Sequence, residues 1–302
     1  MPLSRHESAS LAKGLLFLSP WLLGFAAFTA LPILLSLYFS FCDYSLLQPP
    51  VYIGAANYRE LFRDPLFYHS LGVTAQYSLM ALPAGMLVSL GLALLLNQGI
   101  AAQTVYRSII FLPSLVPAVA TALLWLWIYT PDRTGLLNYF ITELSLHTSN
   151  GAAWLVKPHL ILPSLAFMSL WGVGQTVVIY LAGLQDVPRE LFEAAEIDGA
   201  TGIRRLWHVT LPMISPVIFF NLVMSIIGTL QVFTIPYIML DVTGGGTDRA
   251  GYFFVMYLYD NAFTYLRMGY ANAMAWVLLL LILSLTALAF WSSKRWVYYQ
   301  GR

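Results

Sequence analysis

Six stretches of the chain contain no Asp, Glu, Lys or Arg: Leu15–Phe41, Leu71–Asn97, Ser108–Thr130, Leu160–Gln185, Met213–Leu240 and Met268–Ser293, each of at least 23 residues. An α-helix rises about 1.5 Å per residue, so about 20 apolar residues cross the hydrocarbon core of a bilayer. The pattern predicts an all-α integral membrane protein with about six transmembrane helices, because helices satisfy their own backbone polar groups where water is absent. The first run is longer than a signal-peptide core and lacks a small-residue cleavage site, so it is expected to be a retained helix. It follows a short polar segment, residues 1–14, carrying Arg5 and Lys13, and residues 15–302 are expected to form one transmembrane domain. Pro20, Pro32, Pro83, Pro113, Pro117, Pro163, Pro216 and Pro236 fall within the spans, so some helices should be tilted or broken.

Composition agrees with the pattern. The 302 residues are 59% hydrophobic and only 10% charged, more apolar surface than one soluble core can bury. A net charge of +1 gives no reason to expect nucleic acid, and the single cysteine, Cys42, cannot form an internal disulfide.

With six spans both termini share a side. That side would hold Arg5, Lys13, Arg107, Arg189, Arg204, Arg205, Lys294, Arg295 and Arg302, against Arg59, Arg63, Arg133, Lys157, Arg249 and Arg267 on the other. The larger set favours cytoplasmic N- and C-termini. The outer loops, Asp43–Ser70, Pro131–His159 and Asp241–Arg267, are long and rich in aromatics, which argues against disorder. They either form a docking surface for an extracytoplasmic partner or simply cap the bundle.

Several classes of chemistry are missing. The glycine-rich Thr243–Thr247 is followed by Asp248 and Arg249 where a phosphate loop needs Lys and Ser or Thr. His6, His69, His147, His159 and His208 lack paired ligand spacing, so no metal site is expected. There is no nucleophile elbow or zinc-protease signature, and the chain is not expected to be an enzyme. All charged residues lie outside the six spans, which counts against an ion-coupled secondary transporter, although sodium sites built from carbonyls and hydroxyls keep that alternative open.

The stretch Glu193–Pro212, EAAEIDGATGIRRLWHVTLP, is a charged insert between apolar spans. Asp186 is placed to cap a helix that Pro188 starts, Glu190 and Glu193 favour its first turns, and Gly199 stops it. Leu191, Ala194, Ala195 and Ile197 offer small or apolar contact positions, and Thr201 is placed to cap a second short helix in which Ile203, Leu206 and Trp207 are apolar while Arg204, Arg205 and His208 stay wet. On physics alone this is either a solvated inter-helix loop or a plug for a groove in a partner.

The spacing E-A-A-x-x-x-G, nine residues, a β-branched residue, any residue and Leu-Pro is supplied by Glu193, Ala194, Ala195, Gly199, Val209, Leu211 and Pro212. It resembles the cytoplasmic loop of permease subunits of binding-protein-dependent ABC importers, with Val209 in place of the more usual isoleucine. Gly54–Pro65, Phe111–Pro131 and Met268–Val277 resemble the sugar-importer branch of that family. The resemblance implies the type I importer permease fold and a bacterial inner-membrane complex. Its other members would be a second permease subunit, typically a paralogue, two cytoplasmic ATP-binding subunits and an extracytoplasmic solute-binding protein. It also implies that ATP and magnesium belong to the partner ATPase, with no cofactor in this chain, and that Glu193, Ala194, Ala195 and Gly199 form the contact and turn of a coupling helix.

A sugar path needs neutral hydrogen-bonding groups and aromatic faces. Candidates are Ser114, Thr121, Trp171, Gln175, Asn221, Ser225, Thr229 and Gln231. At helical spacing Asn221, Ser225 and Thr229 share a stripe, as do Trp171 and Gln175. The same residue types also serve as glue between membrane helices, and in the resembled family one membrane subunit can lack a substrate site. The substrate class left open is mono-, di- or oligosaccharide or a related polyol.

Overall fold

The computed structural model describes residues 5–99, 102–132, 134–144, 152–240 and 244–298. Residues 1–4, Arg133, His147, Thr243 and Arg302, which figure in the readings above, lie outside the described residues. Four helices are long and apolar enough to cross a membrane: Lys13–Ser40, Pro65–Leu96, Ser215–Leu240 and Met268–Ser293. Two more spans qualify only as bent pairs, Gln103–Leu115 with Ala118–Ile128 and Pro158–Gly172 with Gly174–Gln185. The architecture is the expected all-α membrane protein, with up to six spans of which two are broken. Much of the outward surface is apolar, as at Phe17, Leu79 and Leu87, which suits contact with lipid.

The chain forms two compact units, Met1–Asp64 with Leu258–Leu279 and Pro65–Tyr257 with Leu280–Arg302. In the first, helix α1 (Arg5–Phe25) passes through a π-helical turn at Ala26–Ala30 into α2 (Leu31–Ser40). The helix that carries the first span therefore reaches back to Arg5. An antiparallel hairpin follows, β1 (Cys42–Ser45) and β2 (Gln48–Tyr52), pairing Cys42 with Tyr52 and Ser45 with Gln48 around an irregularity between Asp43 and Ser45. The short helix α3 (Ala56–Leu61) is tied to it by buried Asn57, whose amide donates to the carbonyls of Ser40 and Cys42 at 2.9 Å each.

Two segments that carry the family resemblance meet in this unit. A Cβ at Gly269 would strike the Cys42 carbonyl, so only glycine permits that approach. Arg267 pairs with Glu60 at 2.7 Å and lies over the Tyr270 ring, while the Tyr270 hydroxyl donates to Asp64 at 2.8 Å.

The second unit is built around α4 (Pro65–Leu96), which starts on a proline at its first position, where no helical hydrogen bond is lost. Its neighbours in the chain are α5 (Gln103–Phe111), α6 (Ala118–Ile128), α7 (Leu136–Leu144), α8 (Pro158–Ser169) and α9 (Gly174–Gln185). After α9 come α10 (Arg189–Ile197), α11 (Ile203–Arg205), α12 (Leu211–Met213), α13 (Ser215–Leu230) and α14 (Thr234–Leu240). Helices α15 (Phe254–Tyr259) and α16 (Met268–Ser293) complete the chain. Helix α4 packs on α8, α9 and α13, and α6 packs on α14. A buried core of Ala93, Leu96, Val177, Tyr180, Leu181, Leu184, Val187 and Ile214 closes the end of the unit from which α10 emerges.

Candidate functional site

Both broken spans break for local reasons. The first turns by 98° between Leu115 and Ala118. Pro117 has no N–H to offer, its ring excludes the helical position of the carbonyl four residues earlier, and Val116 before it is forced into an extended conformation at ψ 128°. The second bends by 53° through a 3₁₀ turn at Leu170–Gly172. The two breaks touch: a Cβ on Gly174 would collide with the Ile110 carbonyl and reach within 2.8 Å of Phe111 Cα.

Where they meet lies an open-sided cavity of about 320 Å³. Ser114, Thr121, Trp171 and Gln175, four of the eight path candidates, all line it, together with Tyr77, Ser169 and apolar side chains of α14 and Phe253. No charged side chain is among the lining residues. The Ser114 hydroxyl donates to the Phe111 carbonyl at 2.6 Å and keeps its lone pairs to accept. The Gln175 amide lies exposed along the wall. Behind Trp171 stands an aromatic stack in which Trp125 meets Trp171 edge-on at 6.4 Å and Phe167 at 6.0 Å. Such a surface presents neutral donors and acceptors beside ring faces.

A smaller cavity, about 210 Å³, takes in Ser225 and Thr229 with Thr176 and the glycines Gly85 and Gly228. The Thr229 hydroxyl is turned back to the Ser225 carbonyl at 2.8 Å. Asn221 and Gln231 line neither cavity. Asn221, on the same stripe, is buried where α13 packs on α4 and α9, and its amide donates within the helix to Val217. Gln231 sits exposed at the end of α13. Sequence reasoning passed over Tyr77, Ser169 and Thr176, since an isolated Tyr, Ser or Thr in an apolar span gives no signal of which face it occupies.

In the 186–212 loop, α10 runs from Arg189 with Pro188 as its N-cap. Asp186 is not that cap: its N–H bonds the Ala182 carbonyl and closes α9, because Val187 and Pro188 separate it from the new helix. Thr201 does not cap the second helix through its side chain either; Gly202 takes that position at φ +52°, and only the Thr201 carbonyl serves, accepting the Arg204 N–H. Gly199, at φ +74°, makes the left-handed turn that ends α10. Glu193, Ala194 and Gly199 are exposed. Ala195 is buried, 8% exposed, on the inward face of α10 with Phe192, which packs on the buried core. The Arg205 guanidinium covers the Phe192 ring at 5.7 Å. The outward face combines Glu193 and Glu196 with Ile197, which is 87% exposed, and Trp207, 64% exposed.

Among the described residues no three His, Cys, Asp or Glu side chains come together as a metal site. A family described as "Binding-protein-dependent transport system inner membrane component" matches residues 81–298. The chain is 36% identical over 304 residues to the probable ABC transporter permease protein YesP of Bacillus subtilis, covering 100% of this chain and 97% of that protein. It is 32% identical over 271 residues to the arabinooligosaccharides transport system permease protein AraP of the same organism, covering 89% and 84%. A solved bacterial ABC transporter involved in the import of the acidic polysaccharide alginate has the same fold, with a TM-score of 0.79 at 23% identity over 97% of this chain and 99% of that one.

Proposed function

Because this chain belongs to the binding-protein-dependent transport system inner membrane components, we propose that it is the membrane-spanning subunit of an ATP-driven importer that takes up a neutral sugar, a mono-, di- or oligosaccharide or related polyol. The observation that carries this reading is the charge-free cavity where two broken spans meet, lined by Ser114, Thr121, Trp171 and Gln175. Saccharide hydroxyls exchange hydrogen bonds with water for hydrogen bonds with neutral side chains, and the C–H faces of the rings lie on an indole. An anionic substrate would need a charged or strongly donating partner at this depth.

The chain works in the bacterial inner membrane with both termini in the cytoplasm. Its complex contains a second permease subunit, two cytoplasmic ATP-binding subunits and an extracytoplasmic solute-binding protein. ATP and magnesium are bound and consumed in the partner subunits. The exposed face of α10, with Glu193, Ala194 and Gly199, seats in the ATPase, while Phe192 packs on the core of the helix bundle and Ala195 lies buried on the same face. Closure of the ATPase pair moves that seat as a rigid lever, and the bundle alternates between inward- and outward-facing forms.

Glu193→Lys, and Gly199→Val at its left-handed position, test the lever. Both variants are expected to lose uptake while the subunit stays in the membrane. Normal uptake by both would overturn the assignment.

A further inference from the structure

Tyr77, Ser169 and Gly172 belong to the walls of both cavities, the 320 Å³ space at the broken spans and the 210 Å³ space beside Ser225 and Thr229. The cavities are stacked along α4. The larger takes only Tyr77 from that helix, and the smaller continues through Ala81, Gly85 and Met86 towards the end that carries α10. Tyr77 lies about 18 Å along a helix of about 48 Å.

The ring at this position is held from several sides. It is 6% exposed, and its ring meets that of Phe253 in a T-shaped contact at 5.2 Å and 81°. Phe253 is fully buried, and the next residue, Phe254, donates its N–H to the Thr74 hydroxyl at 2.9 Å, one turn of α4 from Tyr77. The segment leading there is itself tied down: Gly251 N–H bonds the Gly245 carbonyl at 2.8 Å, and the Arg249 carbonyl meets His69 at 3.0 Å. A Tyr in a loose apolar span could swing between rotamers. This one is held as a wall common to the two cavities.

Resting on the sugar-path reading above, we propose that Tyr77 is a specificity-determining residue that partitions this chain's saccharide path, its ring ending the first cavity and so limiting the length of saccharide accommodated there. The Phe253–Phe254 strap fixes the plane of the ring. Removing the ring joins the cavities into one longer groove.

The test uses the assembled complex in membrane vesicles with Cys42, the sole cysteine, replaced by Ala. A reporter cysteine is placed at Gly228 in the smaller cavity, where a Cβ meets nothing within 4 Å, or at Ala118 in the larger one. An impermeant methanethiosulfonate reagent is applied from each face in turn. From the face that reaches the cysteine at 118, the cysteine at 228 is expected to react at least ten-fold faster in Tyr77→Ala than with Tyr77 present. Tyr77→Phe, which keeps the ring and loses only the hydroxyl, is expected to change that rate less than three-fold and to assemble if Tyr77→Ala does not. In transport, Tyr77→Ala is expected to raise uptake of longer saccharides relative to shorter ones. Equal reactivity at 228 with Tyr and Ala, or Phe behaving like Ala, would overturn the partition. A wild-type complex whose ATP hydrolysis no saccharide stimulates would instead overturn the sugar reading, since the labelling ratio needs no substrate.

Discussion

Helix α4 and the segment 103–128 both cross the second unit, and both contain proline, yet they end as opposites. Helix α4 runs through Pro83 without interruption for 32 residues, while 103–128 turns by 98° at Pro113 and Pro117. A single proline in a membrane helix costs one hydrogen bond and a mild kink, which neighbouring helices tolerate. Two prolines four residues apart act on one turn. Pro117 crowds the carbonyl of Pro113, and Val116 leaves the helical region altogether. The first arrangement makes a post on which α8, α9 and α13 pack, and the second makes a cavity.

Undoing the prolines should break the comparison most severely. Pro113→Ala with Pro117→Ala restores two N–H donors and favours a straight helix through the space where Ser114 and Thr121 now line the cavity. Saccharide-stimulated ATP hydrolysis by the complex is expected to fall more than ten-fold, against less than two-fold for Pro83→Ala. Equal losses in the two variants would mean that the break has no special part in transport.

A smaller effect is expected where the two breaks touch. Gly174→Val places side-chain atoms against the Ile110 carbonyl and Phe111, and overpacking of this kind costs about 1–3 kcal/mol. Thermal unfolding in detergent should register it as a lowered midpoint. An unchanged midpoint would show that the contact between the breaks is loose. The smallest effect belongs to α4 itself: Gly91→Ala meets open space and exchanges a poor helix former for a good one. A stabilisation of up to about 1 kcal/mol is expected, read by the same measurement.

The same contrast explains how far the chain could be read in advance. Freedom from charge is enforced along the whole of a span by the cost of burying ions in lipid, so the charge-free intervals stand out; four fall on membrane-length helices and two on bent pairs. The insert at Glu193–Pro212 was legible for the converse reason, being the place where charge returns. Which proline breaks a helix depends on what surrounds it, and eight prolines within the spans did not distinguish Pro83 from Pro117. The hairpin at Cys42–Tyr52 was also missed, since its two short strands, one containing Pro49 and Pro50, carry little alternation and are held by Asn57 from outside.

The site was legible in its residue types and less so in its geometry. Ser114, Thr121, Trp171 and Gln175 come from two spans and converge because both spans break at the same level. Helical spacing put Asn221 with Ser225 and Thr229, but burial of α13 against α4 and α9 separates them. Ala195 turns inward with Phe192, leaving Glu193, Ala194 and Gly199 on the open side of the loop. Tyr77 became visible only through the two cavities it divides.

The most direct measurement is ATP hydrolysis by the purified complex with its binding protein, across a panel of neutral and anionic saccharides, for wild type and Gln175→Ala. The account predicts stimulation by a neutral saccharide, and a several-fold higher concentration for half-maximal stimulation in Gln175→Ala. Stimulation by anionic saccharides alone, with Gln175→Ala indistinguishable from wild type, would contradict it.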